Sequence, residues 1–141
     1  MEVQKGVILA VYKKTSRAAR FLVLKRKKNW EGWELPKGHL EDDHESTVFQ
    51  ELREEAGIKE ENVESVESLE TTVEWTVDGE EKREYKAFLV EVEKDAYVDT
   101  SGNPHEEHEK GFFLRFTDAK DLLEYDQHIR VLEEADQKVE V

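Results

Sequence analysis

Three glutamates, Glu51, Glu54 and Glu55, stand at i, i+3 and i+4 in the run Gln50-Glu51-Leu52-Arg53-Glu54-Glu55-Ala56-Gly57-Ile58. The run reads as a helix. Val48, Leu52 and Ala56 recur at i, i+4 and i+8 with Phe49 beside them, which gives one apolar face. Asp42 and Asp43 precede it as capping candidates, and Gly57 ends it. On such a helix the three carboxylates project to one side. Like charges at this spacing destabilise a helix by roughly 0.2–0.5 kcal/mol per pair. They also fall near its C-terminal end, where the helix dipole disfavours anions. Two readings follow. One is a solvated acidic face; the other is a set of oxygen ligands for a hard divalent cation, which would remove the conflict.

The rest of the chain frames this helix. Residues 7–12 and 21–24 are apolar runs of strand length, and the polar turn between them predicts a hairpin. Residues 30–35 follow, punctuated by Gly32 and Pro36. Residues 63–77 read as extended, Asp78-Gly79 as a turn, and 85–92 as the returning strand. Residues 98–110 read as a loop and 112–116 as a strand. Thr117-Asp118 then caps a helical segment through Leu123, and a last helix starts near Asp126 with Ile129, Leu132 and Ala135 on its core face. This order predicts one domain over residues 1–141, of α+β or mixed α/β sandwich class.

Composition narrows the function. The chain carries 35 Asp plus Glu against 21 Lys plus Arg, a net charge of −14. That argues against a broad basic surface for nucleic acid, though not against a small basic pocket. There is no cysteine, so any metal must be held by oxygen or imidazole. No apolar run approaches the ~18 residues of a membrane span. The N-terminus enters a strand without the charged and apolar regions of a signal peptide, and the expected location is cytoplasmic.

Upstream of the helix lies Trp33-Glu34-Leu35-Pro36-Lys37-Gly38-His39-Leu40-Glu41. With the helix, this stretch resembles the Nudix box, G-x5-E-x7-R-E-U-x-E-E-x-G-U, where U is a bulky apolar residue. Gly38 matches the first glycine, Glu51-Leu52 the E-U step, Glu54-Glu55 the acidic pair and Gly57-Ile58 the ending. The Trp-Glu-Leu-Pro-Lys-Gly-His wording is similar to the branch that hydrolyses diadenosine tetraphosphate, and RNA 5′-pyrophosphohydrolases share much of it. Two departures stand out. The interval from Gly38 to Gln50 is two residues shorter than the pattern, which leaves Asp42 where the first glutamate belongs. Gln50 replaces the arginine that orients the following glutamate, and could reach Glu51 only by an uncharged hydrogen bond.

The resemblance implies a mixed α/β/α sandwich, a central mixed sheet with the box helix and the C-terminal helices packed on it. It implies a Mg²⁺-dependent pyrophosphohydrolase (Mn²⁺ substituting) that cleaves a nucleoside diphosphate linked to a further group. Glu51, Glu54, Glu55 and the Gly38 carbonyl would hold the metal, and one carboxylate would serve as general base. A late glutamate is implied at Glu107, before His108, with Glu106 and Glu109 close alternatives. For phosphate binding it points to Lys37 and His39 beside Gly38, and to Lys82 and Lys86 flanking Tyr85; an exposed strand is the alternative for the last two lysines. Arg20, Lys25 and Arg26 are more remote cations. Trp30, Trp33, Trp75, Tyr85 and Phe113 could stack on a base or simply pack. His44 and His128 are expected at the surface.

The leading expectation is a small-molecule nucleotide polyphosphate substrate, most simply diadenosine tetraphosphate, with no membrane or DNA partner. The alternatives are an RNA 5′-pyrophosphohydrolase, a nucleoside triphosphate sanitising hydrolase, or a catalytically weak nucleotide-binding Nudix module. The oligomeric state stays open.

Overall fold

Strand β1 (Glu2–Lys14) is buried at every position from Val7 to Tyr12. A strand with no polar face needs cover on both sides, and β1 has it. Ile8, Ala10 and Tyr12 enter a core shared with α2 (Phe116–Leu122) and α3 (Asp126–Lys138), through Ala119, Val131, Leu132 and Ala135. Val7, Leu9 and Val11 enter a second core with Val48, Leu52 and Ala56 of α1 (His44–Ala56). The expected α/β/α sandwich is therefore present, with the sheet between α1 and the C-terminal helices. The computed structural model describes residues 2–27, 31–102 and 107–139. Trp30 and Glu106, two of the expected site residues, lie outside them.

The described residues form a seven-stranded mixed sheet. Its order is β3 (Gly32–Glu34), β2 (Ala19–Arg26), β1, β6 (Glu81–Val92), β5 (Val63–Val77), with β4 (Lys37–His39) also on β1 and β7 (His108–Leu114) also on β2. Only the β1–β6 pair among these is parallel. The β5–β6 turn uses Asp78 (φ 54°) and Gly79 (φ 71°), the left-handed residues that a tight hairpin needs.

Helix α1 begins and ends as its sequence predicts. Asp43 Oδ1 accepts from the Ser46 amide at 2.7 Å, and Gly57 takes a left-handed conformation (φ 68°) with its amide on the Arg53 carbonyl. Four expectations are corrected. β6 starts at Glu81, earlier than residue 85, because the hairpin turn is tight. The loop before β7 ends at Glu107 rather than Lys110, since Leu24 to Arg26 pair with His108 to Gly111. Phe116 opens α2 and is not in a strand, so Arg115 takes the N-cap position and Thr117-Asp118 lie in the first turn. His128 is 3% exposed, not on the surface. Among the described residues no helix is long and apolar enough to cross a membrane.

Candidate active site

The short strand β4 is bound to β1 in the register Gly6↔His39, Val7↔Gly38, Ile8↔Lys37. The Leu9 amide donates to the Pro36 carbonyl and the Leu40 amide to the Lys5 carbonyl, each at 2.8 Å, so the strand is pinned at both ends. A side chain at Gly38 would run into the Cδ and both carboxylate oxygens of Glu51. A side chain at Gly6 would strike the Gly38 carbonyl oxygen and the Tyr85 ring. Two glycines thus let β4, β1 and α1 close until the Glu51 carboxylate is seated against the Gly38 backbone.

Glu51 and Glu55 are buried, and Glu54 is half-buried. Burial, then the charges of Glu55 and Glu54 and a smaller push from Glu107, raise the Glu51 carboxyl well above the usual carboxylate range. Gln50 does not take the uncharged hydrogen bond to Glu51 that was open to it. Gln50 Nε2 donates instead to Glu54 Oε1 (3.2 Å) and Glu41 Oε2 (3.0 Å).

Behind these carboxylates lies a buried ionic chain. Glu34, 1% exposed, accepts at Oε2 from Arg26 Nη1 (3.1 Å) and His108 Nε2 (2.9 Å), and at Oε1 from Lys37 Nζ (3.2 Å). Burial alone would raise its pKa, but the His108 hydrogen bond, Lys37 and Arg26 hold it down to about 2. His108 Nδ1 lies 2.6 Å from Glu55 Oε2, close enough for an ion pair although off the angle of a hydrogen bond. Burial opposes the imidazolium, yet Glu34 and Glu55 raise His108 to about 9. The Glu107 carboxylate sits 3.7 Å from Arg26 Nη1. Glu55, Glu107 and His108 have donor atoms all within 4.8 Å of one another. Both His108 ring nitrogens are already engaged by carboxylates, Nε2 by Glu34 and Nδ1 by Glu55. The usable donors are therefore carboxylates, a set that suits a hard cation such as Mg²⁺. The crowding at Glu51 fits that use, since a cation would reverse the repulsion that raises its pKa.

A cavity of about 630 Å³ shares Arg26 and Lys37 with this ionic chain, and the α1 glutamates are not in its described lining. Its described lining includes Arg26, Lys37, Arg83 and Arg130 but a single acid, Asp126, in a chain whose net charge is −14. Trp75 and Tyr125 also line it, and Trp75 stands edge-on to Tyr85 with centroids 4.8 Å apart. Arg83 Nη1 donates to His39 Nε2 at 3.2 Å, which leaves the His39 Nδ1 proton for the Tyr85 hydroxyl oxygen at 3.0 Å. Burial and then Arg83 lower the His39 pKa, in keeping with a neutral ring. His128 also lines the cavity. Its Nδ1 accepts from the Leu35 amide at 3.2 Å, and burial, then Lys37, depress it to about 4.

The fold therefore brings together Gly38, Glu51, Glu54, Glu55, Glu107, Lys37, His39 and Tyr85. It does not bring Lys82 and Lys86 to them. Successive residues of β6 point to opposite faces, and Tyr85 shares its face with Arg83, not with the two lysines. Lys82 pairs with Glu74 (3.4 Å), and Lys86 lines a separate cavity of about 250 Å³ with Lys5 and His44. Glu109 is bound to Lys25 at 3.1 Å, away from the glutamates of α1. Trp33 packs on Phe112, and Phe113 lies under the Lys13 ammonium. Sequence reasoning missed Glu34, Arg83 and the linking role of His108. Arg83 was within reach of the strand period, two residues before Tyr85. Glu34 was visible as an acid in an apolar stretch, but its partners come from three other segments.

The comparisons agree with this architecture. A NUDIX domain model matches residues 3–135. No curated protein matches the sequence. Among solved structures, a C. elegans Ap4A hydrolase in a binary complex is 24% identical, covers 93% of each chain and gives a TM-score of 0.76. The E. coli dihydroneopterin triphosphate pyrophosphohydrolase is 16% identical, covering 99% of this chain and all of its own, with a TM-score of 0.78. The NUDIX domain of Shewanella oneidensis NrtR, in complex with ADP ribose, is 15% identical, covering 98% of this chain and 88% of that one, with a TM-score of 0.76. With the matched span taking in β4, α1 and every glutamate gathered around Gly38, this chain belongs to the Nudix family.

Proposed function

We propose that the chain is a Mg²⁺-dependent pyrophosphohydrolase that cleaves a nucleoside diphosphate linked to a second group, and that its substrate is a dinucleoside polyphosphate such as diadenosine tetraphosphate. One juxtaposition carries this reading: crowded carboxylates joined, through Arg26 and Lys37, to a cavity lined by four cations and two aromatic rings. Glu51, Glu54, Glu55 and the Gly38 carbonyl are the groups that would hold the cation, with Glu107 beside them. When bound, it supplies charge neutralisation and a water of lowered pKa. Lys37, Arg26 and Arg83 then orient the phosphates, Arg83 with its guanidinium held by His39, itself bonded to Tyr85, and by Glu81 at 2.9 Å. A carboxylate of the cluster takes the proton of the attacking water. Trp75 and Tyr125 offer flat faces to a base. The likeness to the C. elegans Ap4A hydrolase supports the substrate, and the likeness to the E. coli dihydroneopterin triphosphate pyrophosphohydrolase supports the reaction.

The test is product analysis with Mg²⁺ across diadenosine tetraphosphate, nucleoside triphosphates and 5′-triphosphate RNA. Unequal cleavage of the dinucleotide is expected. Turnover of RNA ends or nucleoside triphosphates without turnover of the dinucleotide would overturn the substrate. A second reading, a nucleotide-binding module that turns over little, is favoured by Gln50, which is engaged with Glu54 and Glu41 and leaves Glu51 without its expected partner. Calorimetric binding of the dinucleotide with no metal-dependent phosphate release would select it.

A further inference from the structure

We propose that Glu34 is a positioning residue which sets, from one buried carboxylate, both the phosphate-facing cations and the metal-facing glutamate Glu55. The inference deepens the function proposed above and rests on it. Burying an anion this completely is unfavourable unless it is paired, and replacing such a group by a well-packed apolar one is often neutral or stabilising. Stability therefore gives little reason for a carboxylate at this position. Its partners give a better one. Oε1 takes Lys37 at 3.2 Å, and Oε2 takes Arg26 at 3.1 Å and His108 at 2.9 Å. Lys37 and Arg26 are walls of the large cavity. His108 places its other nitrogen 2.6 Å from Glu55 Oε2. All three partners of Glu34 thus lead to the site, along two separable arms. One arm runs to the phosphates. The other runs through His108 to the metal ligand, as partners behind a metal site commonly fix the ligands in front.

The arms predict different losses. Cutting the metal arm alone, His108→Gln lowers Mn²⁺ affinity, read by calorimetry or paramagnetic resonance, by about 10- to 100-fold. It lowers kcat in step and leaves KM within about threefold. Glu34→Gln keeps the shape and removes the charge; it gives the same loss of Mn²⁺ affinity and also raises KM about tenfold, because Lys37 and Arg26 lose their anchor. Because both variants cut one arm, the double variant binds Mn²⁺ within about threefold of His108→Gln alone. Glu34→Asp restores part of both losses. Additive losses in the double variant, or a Glu34→Gln protein that melts earlier yet keeps Mn²⁺ affinity, KM and kcat within about twofold, overturn the proposal. If Glu34→Gln does not fold, Glu34→Asp and His108→Gln decide it: unchanged Mn²⁺ affinity in His108→Gln refutes the metal arm. A wild-type protein that neither binds Mn²⁺ nor turns over any nucleotide overturns the proposed function itself, whereas an active wild type with indifferent variants overturns only the role of Glu34.

Discussion

Gly38→Ala puts one methyl group where the Glu51 carboxyl lies, in conflict with its carbon and both oxygens. Gly38 is not among the residues with positive φ, so alanine suits the backbone and the effect is steric. Either β4 must lift from β1 at the Val7↔Gly38 pair, or the carboxylate must leave its seat. Overpacking of this kind costs about 1–3 kcal/mol. At about 4 °C per kcal/mol for a domain of this size, the melting temperature falls by roughly 4–12 °C. Both outcomes displace a group proposed to hold the metal, so on that proposal Mn²⁺ affinity falls at least about tenfold. Scanning calorimetry reads the first quantity and titration calorimetry the second. The decisive control is Gly38→Ala combined with Glu51→Ala. Removing the carboxyl makes room for the methyl, so the double variant should melt with Glu51→Ala alone, a coupling of the size of the original loss. Unchanged melting and Mn²⁺ affinity in Gly38→Ala, or additive effects in the pair, would refute the packing argument.

Three further outcomes are expected. Native Glu51 holds its proton well above 4.5, where the unfolded chain releases it, so the metal-free native state binds more protons across that interval and stability falls as pH rises. In chelator the protein should melt lower at about pH 8 than at about pH 6, and Glu51→Gln should reduce that slope to the part that His108, raised to about 9, contributes; an unchanged slope counts against the crowding. His128 has the opposite linkage: the unfolded chain gains a proton near 6.5 while the native ring resists until about 4, so stability drops as pH falls between them. Urea titrations of His128→Asn should lose this drop, and a retained drop would mean that another group causes it. Arg83→Ala should raise KM about tenfold or more, since it removes a charge-assisted contact, while Lys82→Ala and Lys86→Ala on the other face stay within about twofold; the reverse pattern would move the phosphate site.

Local signals carried much of this structure. Helix α1, its Asp43 cap and its Gly57 stop follow from residues within one turn of each end, and the Asp78-Gly79 hairpin follows from its dipeptide. The glutamate set was legible because a helix makes i, i+3 and i+4 neighbours by geometry alone. What escaped depends on register between distant strands. Glu34 meets its partners because β2 pairs with both β3 and β7, and nothing in Trp33-Glu34-Leu35 announces a histidine 74 residues away. His128 looked like a polar helix residue until the Leu35 amide, 93 residues distant, required an acceptor. Lys82 and Lys86 were attractive for their charge, and the strand period that separates them from Tyr85 outweighs it.

The parallel β1–β6 pair has a consequence for how the chain reaches this structure. Its partners are far apart in sequence; Tyr12 and Glu91 are separated by 79 residues. During synthesis β1 emerges first, apolar on both faces, and its central neighbour follows only after α1 and β5 have been made. Until then β1 can pair only over short lengths, with β2 at Tyr12–Lys14 and with β4 at Gly6–Ile8. Pairing over such a separation closes slowly and leaves an open, sticky edge in the interval. A net charge of −14 makes incomplete chains repel one another. Such repulsion would act against association in the interval when β1 is made and β6 is not.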